Sequence, residues 1–277
     1  MSVLSLVDAT VLGVVEGLTE FLPISSTGHL TITEKLLGLR LDEPAVTAYT
    51  AIIQMGPIVA VILYFWRHLV RLVLAFFRGL FRPAERGANY RMAWKIGLGS
   101  IPVGIVGFLA RDLISGPLRS LWVVAVALIG WSVVMIAAER VGRQDRGEAS
   151  LTFTDAIAIG VTQCIALIPG VSRSGATISA GLFRGLDRVA ATRVSFLLSI
   201  PALLAAGLYQ LTDVSTGELG AAPMILGIVV AFVVGFASIA WLLRFVAHHP
   251  ISIFVIYRVL LGVLLIVLLA TGVLTAT

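Results

Sequence analysis

The chain has 277 residues, of which 58% are hydrophobic and 13% charged, and its mean hydropathy is +1.02. This composition excludes an ordinary soluble protein, because soluble chains do not carry so few charges among so many apolar runs. The net charge of +5 does not indicate nucleic acid binding, since the basic residues cluster between the apolar segments. The sequence therefore predicts a polytopic membrane protein with one membrane domain, residues 1–277.

Two further features of the composition concern disulfides and targeting. The single cysteine, Cys164, excludes an intramolecular disulfide and lies in an apolar segment, so we interpret it as a packing residue. Met1 to Val15 contain no basic segment and no small-residue cleavage site, so we expect no cleaved signal peptide.

The first apolar segments are too short to cross a bilayer. Residues 8–22 would reach about 22 Å as a helix, against a hydrocarbon core of ~30 Å, and residues 28–38 are shorter still. Pro23 is expected to end the first helix, because the residue before a proline is pushed away from the α region. Together these segments predict a re-entrant helix–break–helix hairpin, which is tolerated only where protein or a wet cavity covers its backbone.

The following segments are long enough to span. We predict six spans, at residues 45–66, 92–110, 120–138, 194–211, 222–243 and 251–271. Residues 152–183 repeat the short–break–short pattern around Pro169 and Gly170, which predicts a second re-entrant hairpin. The predicted fold is all-α, with six transmembrane helices and two re-entrant hairpins.

The arginines are distributed unequally between the two sides of this topology. Predicted loops 67–91, 139–152, 184–193 and 244–250 share one side and contain most of the arginines of the chain. The opposite side has only four basic residues and an acidic loop: Lys35, Arg40, Arg111 and Arg119, with Asp213 and Glu218. The positive-inside rule makes the basic side cytoplasmic and places both termini outside.

A weak internal repeat relates the two halves of the chain. An offset of 147 residues aligns Glu16 with Gln163, Ser25 with Ser172 and Gly28 with Gly175. Repeat 1 covers about residues 1–147 and repeat 2 about residues 148–277, each with one hairpin and three spans. Because three is odd, the second repeat must be inverted, as in transporters whose sites form between broken helices. We expect the two breaks to meet, although two apolar segments can also match by chance.

The first break carries two carboxylates on one helical face. Glu16 and Glu20 are four residues apart, and each ionisable residue at membrane depth costs roughly 2.5–3.5 kcal/mol, which indicates a working site. Two such carboxylates suit Mg²⁺ or Ca²⁺ bound together with substrate phosphates. The alternative is that they pair with Arg173 for structural reasons alone.

Hydroxyl groups and an imidazole follow these carboxylates. Ser25, Ser26 and Thr27 can cap the helix after Pro23, and His29 comes three residues after Ser26. We interpret Ser26 and His29 as catalytic and Thr27 as a substrate contact. The alternatives are a structural histidine and a serine that acts only as a helix cap.

The second break combines small residues, hydroxyls and one cation. A helix N-terminus and a guanidinium together favour an anion, so this break predicts a phosphate cradle. Its expected members are Ser172, Arg173, Ser174, Gly175 and Thr177. The spacing and lysine of a Walker loop are absent. Arg173 could instead snorkel to the interface. Arg258, about two turns into the last span, is a candidate for a further phosphate contact.

Two segments carry a resemblance to a known family. Glu16-Gly-Leu-Thr-Glu-Phe-Leu-Pro-Ile-Ser-Ser-Thr-Gly-His29 and Pro169-Gly-Val-Ser-Arg-Ser-Gly-Ala-Thr177 resemble the two signature motifs of bacterial undecaprenyl-pyrophosphate phosphatases of the bacitracin-resistance type. The resemblance in length and span order covers the whole chain. It implies hydrolysis of undecaprenyl pyrophosphate, which recycles the lipid carrier of peptidoglycan synthesis. The Lys-x6-Arg-Pro signature of phosphatidic-acid-type phosphatases is missing.

The resemblance also implies the parts of the site. Glu16, Glu20, Ser26, His29 and Arg173 would form an extracytoplasmic active site, with Mg²⁺ or Ca²⁺ held by Glu16 and Glu20. Ser26 would be the nucleophile and His29 its base, or the acid for the leaving group. Direct attack by water is the alternative mechanism.

The expected partners are a polyprenyl pyrophosphate lipid and the bilayer of the bacterial inner membrane, without nucleic acid. A homodimer is left open. The alternative function is a transporter or flippase of an anionic polyprenyl lipid, since inverted repeats with opposed breaks also build carriers.

Overall fold

A computed structural model describes residues 4–39, 43–212 and 220–276. Arg40, Asp213 and Glu218 of the charge analysis lie outside these described residues. The α-helices of the described chain are α1 Leu6–Thr19, α2 Ser26–Leu36, α3 Pro44–Ile53, α4 Met55–Tyr64, α5 Trp66–Phe81, α6 Ala88–Leu109, α7 Arg111–Ser115, α8 Leu121–Val141, α9 Phe153–Ile165, α10 Arg173–Phe183, α11 Arg188–Thr212, α12 Ala221–Val246 and α13 Ile253–Ala270.

Six helical segments within the described residues are long and apolar enough to cross a membrane, which confirms the predicted polytopic all-α fold. They are Ala45–Tyr64, Ala88–Leu109, Leu121–Val141, Arg188–Leu208, Ala221–Val246 and Ile253–Ala270. Each overlaps one of the six predicted spans.

The first span consists of two helices, α3 and α4, which meet at Gln54. Pro57 explains this junction, because a proline has no N–H to donate to the carbonyl of Ile53. The span therefore changes hydrogen-bonding pattern halfway along without losing its apolar length.

The two short-helix pairs, α1–α2 and α9–α10, have matching local structure. The offset of 147 residues superposes the bounds of α2 on those of α10. Capping boxes open α1 at Ser5 and α9 at Thr152, which differ by the same offset. Each pair is a helix–break–helix unit, the form that the sequence predicted for a re-entrant hairpin.

Each unit packs its first helix against a helix from the other half of the chain: α1 lies on α12 and α9 lies on α6. Glycines make both approaches close. A Cβ added to Gly13 would lie 2.8 Å from the carbonyl oxygen of Gly227, and one added to Gly160 would overlap the carbonyl of Gly99. These crossings hold the two breaks inside the bundle.

The expectation of a loop over residues 67–91 is wrong for its first part, because α5 occupies Trp66–Phe81. Apolar side chains recur here every three to four residues between arginines, which is the pattern of an amphipathic helix. Phe76 packs against Tyr90 and Trp94 of α6, whereas Phe81 is 82% exposed. The many positive charges of this segment are typical of a loop between spans, which is why the helix was missed.

Candidate active site

The two breaks touch each other inside the bundle, as predicted. The backbone N–H of Gly170 donates to Ser25 Oγ at 3.1 Å, and Ser174 Oγ donates to the carbonyl oxygen of Leu22 at 2.9 Å. The contact is therefore reciprocal, since each break supplies a hydroxyl to the backbone of the other.

The same local geometry opens α2 and α10. Ser25 and Ser172 both have left-handed backbones, with φ of 78° and 75°, and their side chains accept hydrogen bonds from the N–H groups of Gly28 and Gly175. A positive φ is uncommon for a residue other than glycine and is often found at functional sites. Each cap turns the chain sharply after its break, so that the new helix starts at the point of contact.

Three side chains, joined by hydrogen bonds, connect the first break to the second. Arg173 Nη2 donates to Glu20 Oε1 at 2.6 Å, and Ser26 Oγ donates to Glu20 Oε2 at 2.5 Å. Glu20 is buried, whereas Ser26 and Arg173 are half-buried. The carboxylate thus holds a hydroxyl from the first break and a guanidinium from the second.

Glu16 lies one turn before Glu20 and is 1% exposed, and its Oε1 has no hydrogen-bond partner. A buried carboxylate oxygen without a partner is unusual and fits a site that binds a cation or a substrate group. Among the described residues there is no cluster of three or more His, Cys, Asp or Glu side chains that could hold a metal. Mg²⁺ commonly needs only one or two carboxylates together with substrate phosphates, so Glu16 and Glu20 fit such an ion.

His29 has partners other than the one expected from the sequence. Its Nδ1 lies 2.7 Å from the carbonyl oxygen of Ser25, and its Nε2 lies 2.5 Å from the hydroxyl of Tyr257. Ser26 donates to Glu20 instead. The hydrogen-bond acceptor that faces Ser26 is therefore Glu20 and not His29.

The predicted substrate contacts of the breaks differ in accessibility. Thr27 is exposed, whereas Ser172, Ser174 and Thr177 are buried. Thr177 Oγ1 donates to the carbonyl oxygen of Arg173 at 2.8 Å and lies 2.5 Å from Ser195 Oγ.

The hydroxyls of Ser172 and Ser174 lie 3.1 Å apart, and Gly175 N–H donates to Ser172 Oγ. The buried hydroxyls therefore shape the start of α10, and Arg173 is the part of this break that reaches the site.

Arg258 has a different environment from the expected phosphate contact. It is fully buried, with Nη1 donating to the carbonyl oxygen of Pro23 at 3.0 Å and Nη2 to that of Gly170 at 2.9 Å. Its Nε donates to Ser132 Oγ at 3.2 Å. All three nitrogens thus donate to protein oxygens, and the guanidinium joins the two breaks to each other and to α8.

An apolar groove of about 430 Å³ runs along the first helix–break–helix unit and reaches His29. Its wall combines aliphatic side chains of α1 and the first break with an aromatic pair from α13 that includes Tyr257. It is lined by Val14, Val15, Leu18, Thr19, Leu22, Ile24, His29, Thr33, Phe254 and Tyr257.

Sequence reasoning missed Tyr257, which contacts His29 from α13. The available signal was weak: Tyr257 and Arg258 are adjacent polar side chains in an otherwise apolar span. Nothing in their spacing shows that one faces His29 and the other the two breaks.

Comparison with known proteins agrees with this architecture. Residues 9–264 match the model of a family described as bacitracin resistance protein BacA. Undecaprenyl-diphosphatase of Acidothermus cellulolyticus is 54% identical over 268 residues, which cover 96% of this chain and 97% of that protein.

Undecaprenyl-diphosphatase 1 of Streptomyces avermitilis is also 54% identical, over 99% of this chain and 100% of that protein. An undecaprenyl-diphosphatase of Mycobacterium sp. strain KMS is 50% identical over the same shares. The family match covers both breaks and extends into the sixth span, and the chain belongs to the BacA family of bacitracin resistance proteins.

Proposed function

We propose that this protein is an integral-membrane hydrolase that converts undecaprenyl pyrophosphate to undecaprenyl phosphate and inorganic phosphate. The observation that carries the proposal is the chain Arg173–Glu20–Ser26, which brings a cation, a carboxylate and a nucleophile together where the two breaks meet. Binding alone does not require a serine hydroxyl aimed at a buried carboxylate. The relatives named undecaprenyl-diphosphatase support this substrate.

The groove supports a lipid-linked substrate. It is apolar along most of its wall and reaches His29, which is one helical turn after Ser26 on α2. A polyprenyl tail in the groove would leave its pyrophosphate at the contact between the breaks. The tail would then contribute binding through apolar burial, and the breaks would contribute the charges.

In the first step of the proposed mechanism, Ser26 Oγ attacks the terminal phosphorus of the pyrophosphate. Its proton passes to Glu20, which already accepts the Ser26 hydrogen bond. The P–O bond to the lipid-linked phosphate breaks, and undecaprenyl phosphate leaves with the bond's electron pair. Arg173 neutralises the equatorial oxygens of the transferred phosphoryl group, which is the main requirement of this reaction class.

In the second step, water attacks the phosphorus of the phosphoserine and gives a proton to His29. The P–O bond to Ser26 breaks, protonated Glu20 returns its proton to the Ser26 oxygen, and inorganic phosphate is released. The competing route is direct attack by water on the terminal phosphorus, with Ser26 limited to positioning. Both routes need Glu20 and Arg173, whereas only the first forms a bond to Ser26.

We propose that Glu16 and Glu20 hold a divalent cation, Mg²⁺ or Ca²⁺, when substrate is bound. Such an ion neutralises phosphate charge and polarises the phosphoryl oxygens. The partnerless buried oxygen of Glu16 supports this assignment. Removal of divalent cations with a chelator is then expected to lower turnover, with recovery on adding back either ion.

The proposed location is the bacterial inner membrane, with the site open to the cell exterior or periplasm. The unequal distribution of arginines supports this orientation, because it makes the basic loops cytoplasmic. Whether two copies associate is left to measurement of the oligomeric state in detergent.

Replacing Glu20 tests the proposed function. The wild-type protein, purified in detergent, is expected to release inorganic phosphate from undecaprenyl pyrophosphate. Glu20→Gln keeps the side-chain size but removes the base and the charge paired with Arg173, so we expect at least a roughly hundredfold fall in kcat. Phosphate release under initial-rate conditions measures this.

Glu85→Gln is the matched control, because Glu85 pairs with Arg82 at the surface and lies outside the site. Wild-type turnover in Glu20→Gln would exclude the proposed site. No phosphate release by the wild type, together with transfer of the lipid between leaflets of vesicles, would instead support the flippase.

A further inference from the structure

Tyr257 lies against His29 in a geometry that no motif of the sequence indicates. Its hydroxyl is 2.5 Å from His29 Nε2, and the two rings are stacked with centroids 5.5 Å apart and planes 14° apart. The two residues are 228 positions apart in the chain, so the pairing depends on the packing of α13 beside α2. Tyr257 is 45% exposed and forms part of the groove wall.

The other ring nitrogen determines the direction of this hydrogen bond. His29 Nδ1 faces the carbonyl oxygen of Ser25 at 2.7 Å, and a carbonyl only accepts. Nδ1 of the neutral ring therefore carries the proton, and Nε2 presents a lone pair. The Tyr257 hydroxyl must donate to that lone pair, so both donors of the neutral His29–Tyr257 pair are used within the protein.

The remaining polar side chains of the groove are already engaged within their own helices. Thr19 Oγ1 donates to the carbonyl oxygen of Val15 at 2.7 Å, and Thr33 Oγ1 donates to that of His29 at 2.8 Å. The His29–Tyr257 hydrogen bond differs from these two, because it joins α2 to α13 across the groove wall.

We propose that Tyr257 is a positioning residue that holds His29 as the Nδ1–H tautomer at the inner wall of the groove, with Nε2 as the nitrogen that accepts a proton. The inference rests on the proposed function for the reaction in which His29 accepts that proton. It explains why His29 is turned away from Ser26, whose hydroxyl donates to Glu20 instead. It also gives α13 a part in the site that neither signature segment contains.

Tyr257→Phe tests this inference, because it removes one oxygen and keeps the stacked ring. Loss of a single positioned hydrogen bond is expected to lower kcat for undecaprenyl pyrophosphate about fivefold to tenfold, with KM changed less than about twofold. Tyr64→Phe is the matched control, since Tyr64 packs against Phe65 and Phe236 away from the groove. Its turnover is expected to equal that of the wild type.

A double-mutant cycle with His29→Gln separates positioning from an independent role. If Tyr257 acts through His29, Tyr257→Phe has no further effect on kcat in the His29→Gln background. An equal fall in kcat in both backgrounds would overturn the inference, as would wild-type kcat in Tyr257→Phe.

A spectroscopic readout keeps the inference testable even if the proposed substrate is wrong. Labelling the four histidines with ¹⁵N gives ring-nitrogen resonances, and His29→Gln identifies those of His29. Tyr257→Phe is expected to shift the Nε2 resonance of His29 and leave those of the other histidines unchanged. An unchanged His29 resonance would overturn the inference, whereas absent phosphate release by the wild type would overturn only the proposed function.

Discussion

Glu20 is the residue on which the proposed chemistry depends, because its two oxygens serve different partners. One accepts from Arg173 and the other from Ser26, so the same carboxylate fixes the cation and the nucleophile. Charge-assisted hydrogen bonds of this kind are stronger than neutral ones and hold tighter geometry. Glu16, one turn away, keeps an oxygen without a partner, which supports the proposal that it binds a cation together with Glu20.

Ser26 distinguishes the two proposed mechanisms. If it is the nucleophile, Ser26→Ala is expected to reduce phosphate release about a thousandfold or more, because the phosphoryl intermediate forms on its oxygen. Acid quenching of the wild type during turnover of substrate labelled in its terminal phosphate is expected to trap phosphoserine at residue 26.

Ser238→Ala is the control for this substitution, since Ser238 is a buried serine whose hydroxyl donates within its own helix, to Val234. Turnover close to that of the wild type in Ser26→Ala, with no trapped phosphoserine, would favour direct attack by water.

At the scale of elements, the site depends on helices that stop and restart at fixed points. Gly170 has a φ of 98°, and a Cβ added there would lie 2.5 Å from the carbonyl oxygen of Val124 on α8. The second break thus needs glycine for its backbone conformation and for its approach to α8.

Gly170→Ala is expected to lower the free energy of unfolding by about 1–3 kcal/mol, because the methyl group overlaps α8. It should also reduce turnover, since Gly170 N–H holds Ser25 of the first break. Thermal denaturation in detergent and phosphate release measure the two effects.

Gly104→Ala serves as the comparison, because Gly104 lies within α6 and an added Cβ meets no atom within 4 Å. Stability there is expected to stay the same or rise by up to about 1 kcal/mol, from the higher helix propensity of alanine. Equal behaviour of the two variants would show that the second break tolerates a side chain.

At the scale of the whole molecule, Arg258 ties the two halves of the chain together. Its guanidinium donates to the carbonyl oxygens of Pro23 in the first break and Gly170 in the second, and to Ser132 of α8. Buried carbonyl oxygens that lose their donors cost about 1–3 kcal/mol each. A single buried side chain thus couples the spacing of the breaks to the packing of α8 and α13.

Arg258→Met removes this connection while keeping an apolar stem of similar reach. We expect a lower midpoint of thermal unfolding and reduced turnover, because the two breaks lose a common anchor. Arg78→Met, at an exposed position of α5, is the control for loss of a positive charge. Unchanged stability and turnover in Arg258→Met would mean that the breaks hold their spacing without it.

The sequence alone determined the membrane class, the six spans and the two breaks. The reason is physical: a bilayer demands long apolar helices, and only proline, glycine and hydroxyl-rich stretches interrupt them. It also predicted which side chains carry chemistry, because Glu16, Glu20 and Arg173 are costly at membrane depth, and the substitution of Glu20 tests that prediction. The amphipathic helix α5 was missed because a high content of arginine is typical of a loop between spans.

Only the tertiary structure decided which of these side chains meet. The spacing of Ser26 and His29 suggested that they act as a pair. In the folded protein, Ser26 forms a hydrogen bond with Glu20 and His29 forms one with Tyr257. Arg258 was a candidate phosphate contact in the sequence, but in the structure it donates to carbonyl oxygens of both breaks and links them. Local sequence determines where a helix starts and stops. Contacts between side chains that are far apart in the chain depend on how the helices cross, and spacing along the chain does not encode those crossings.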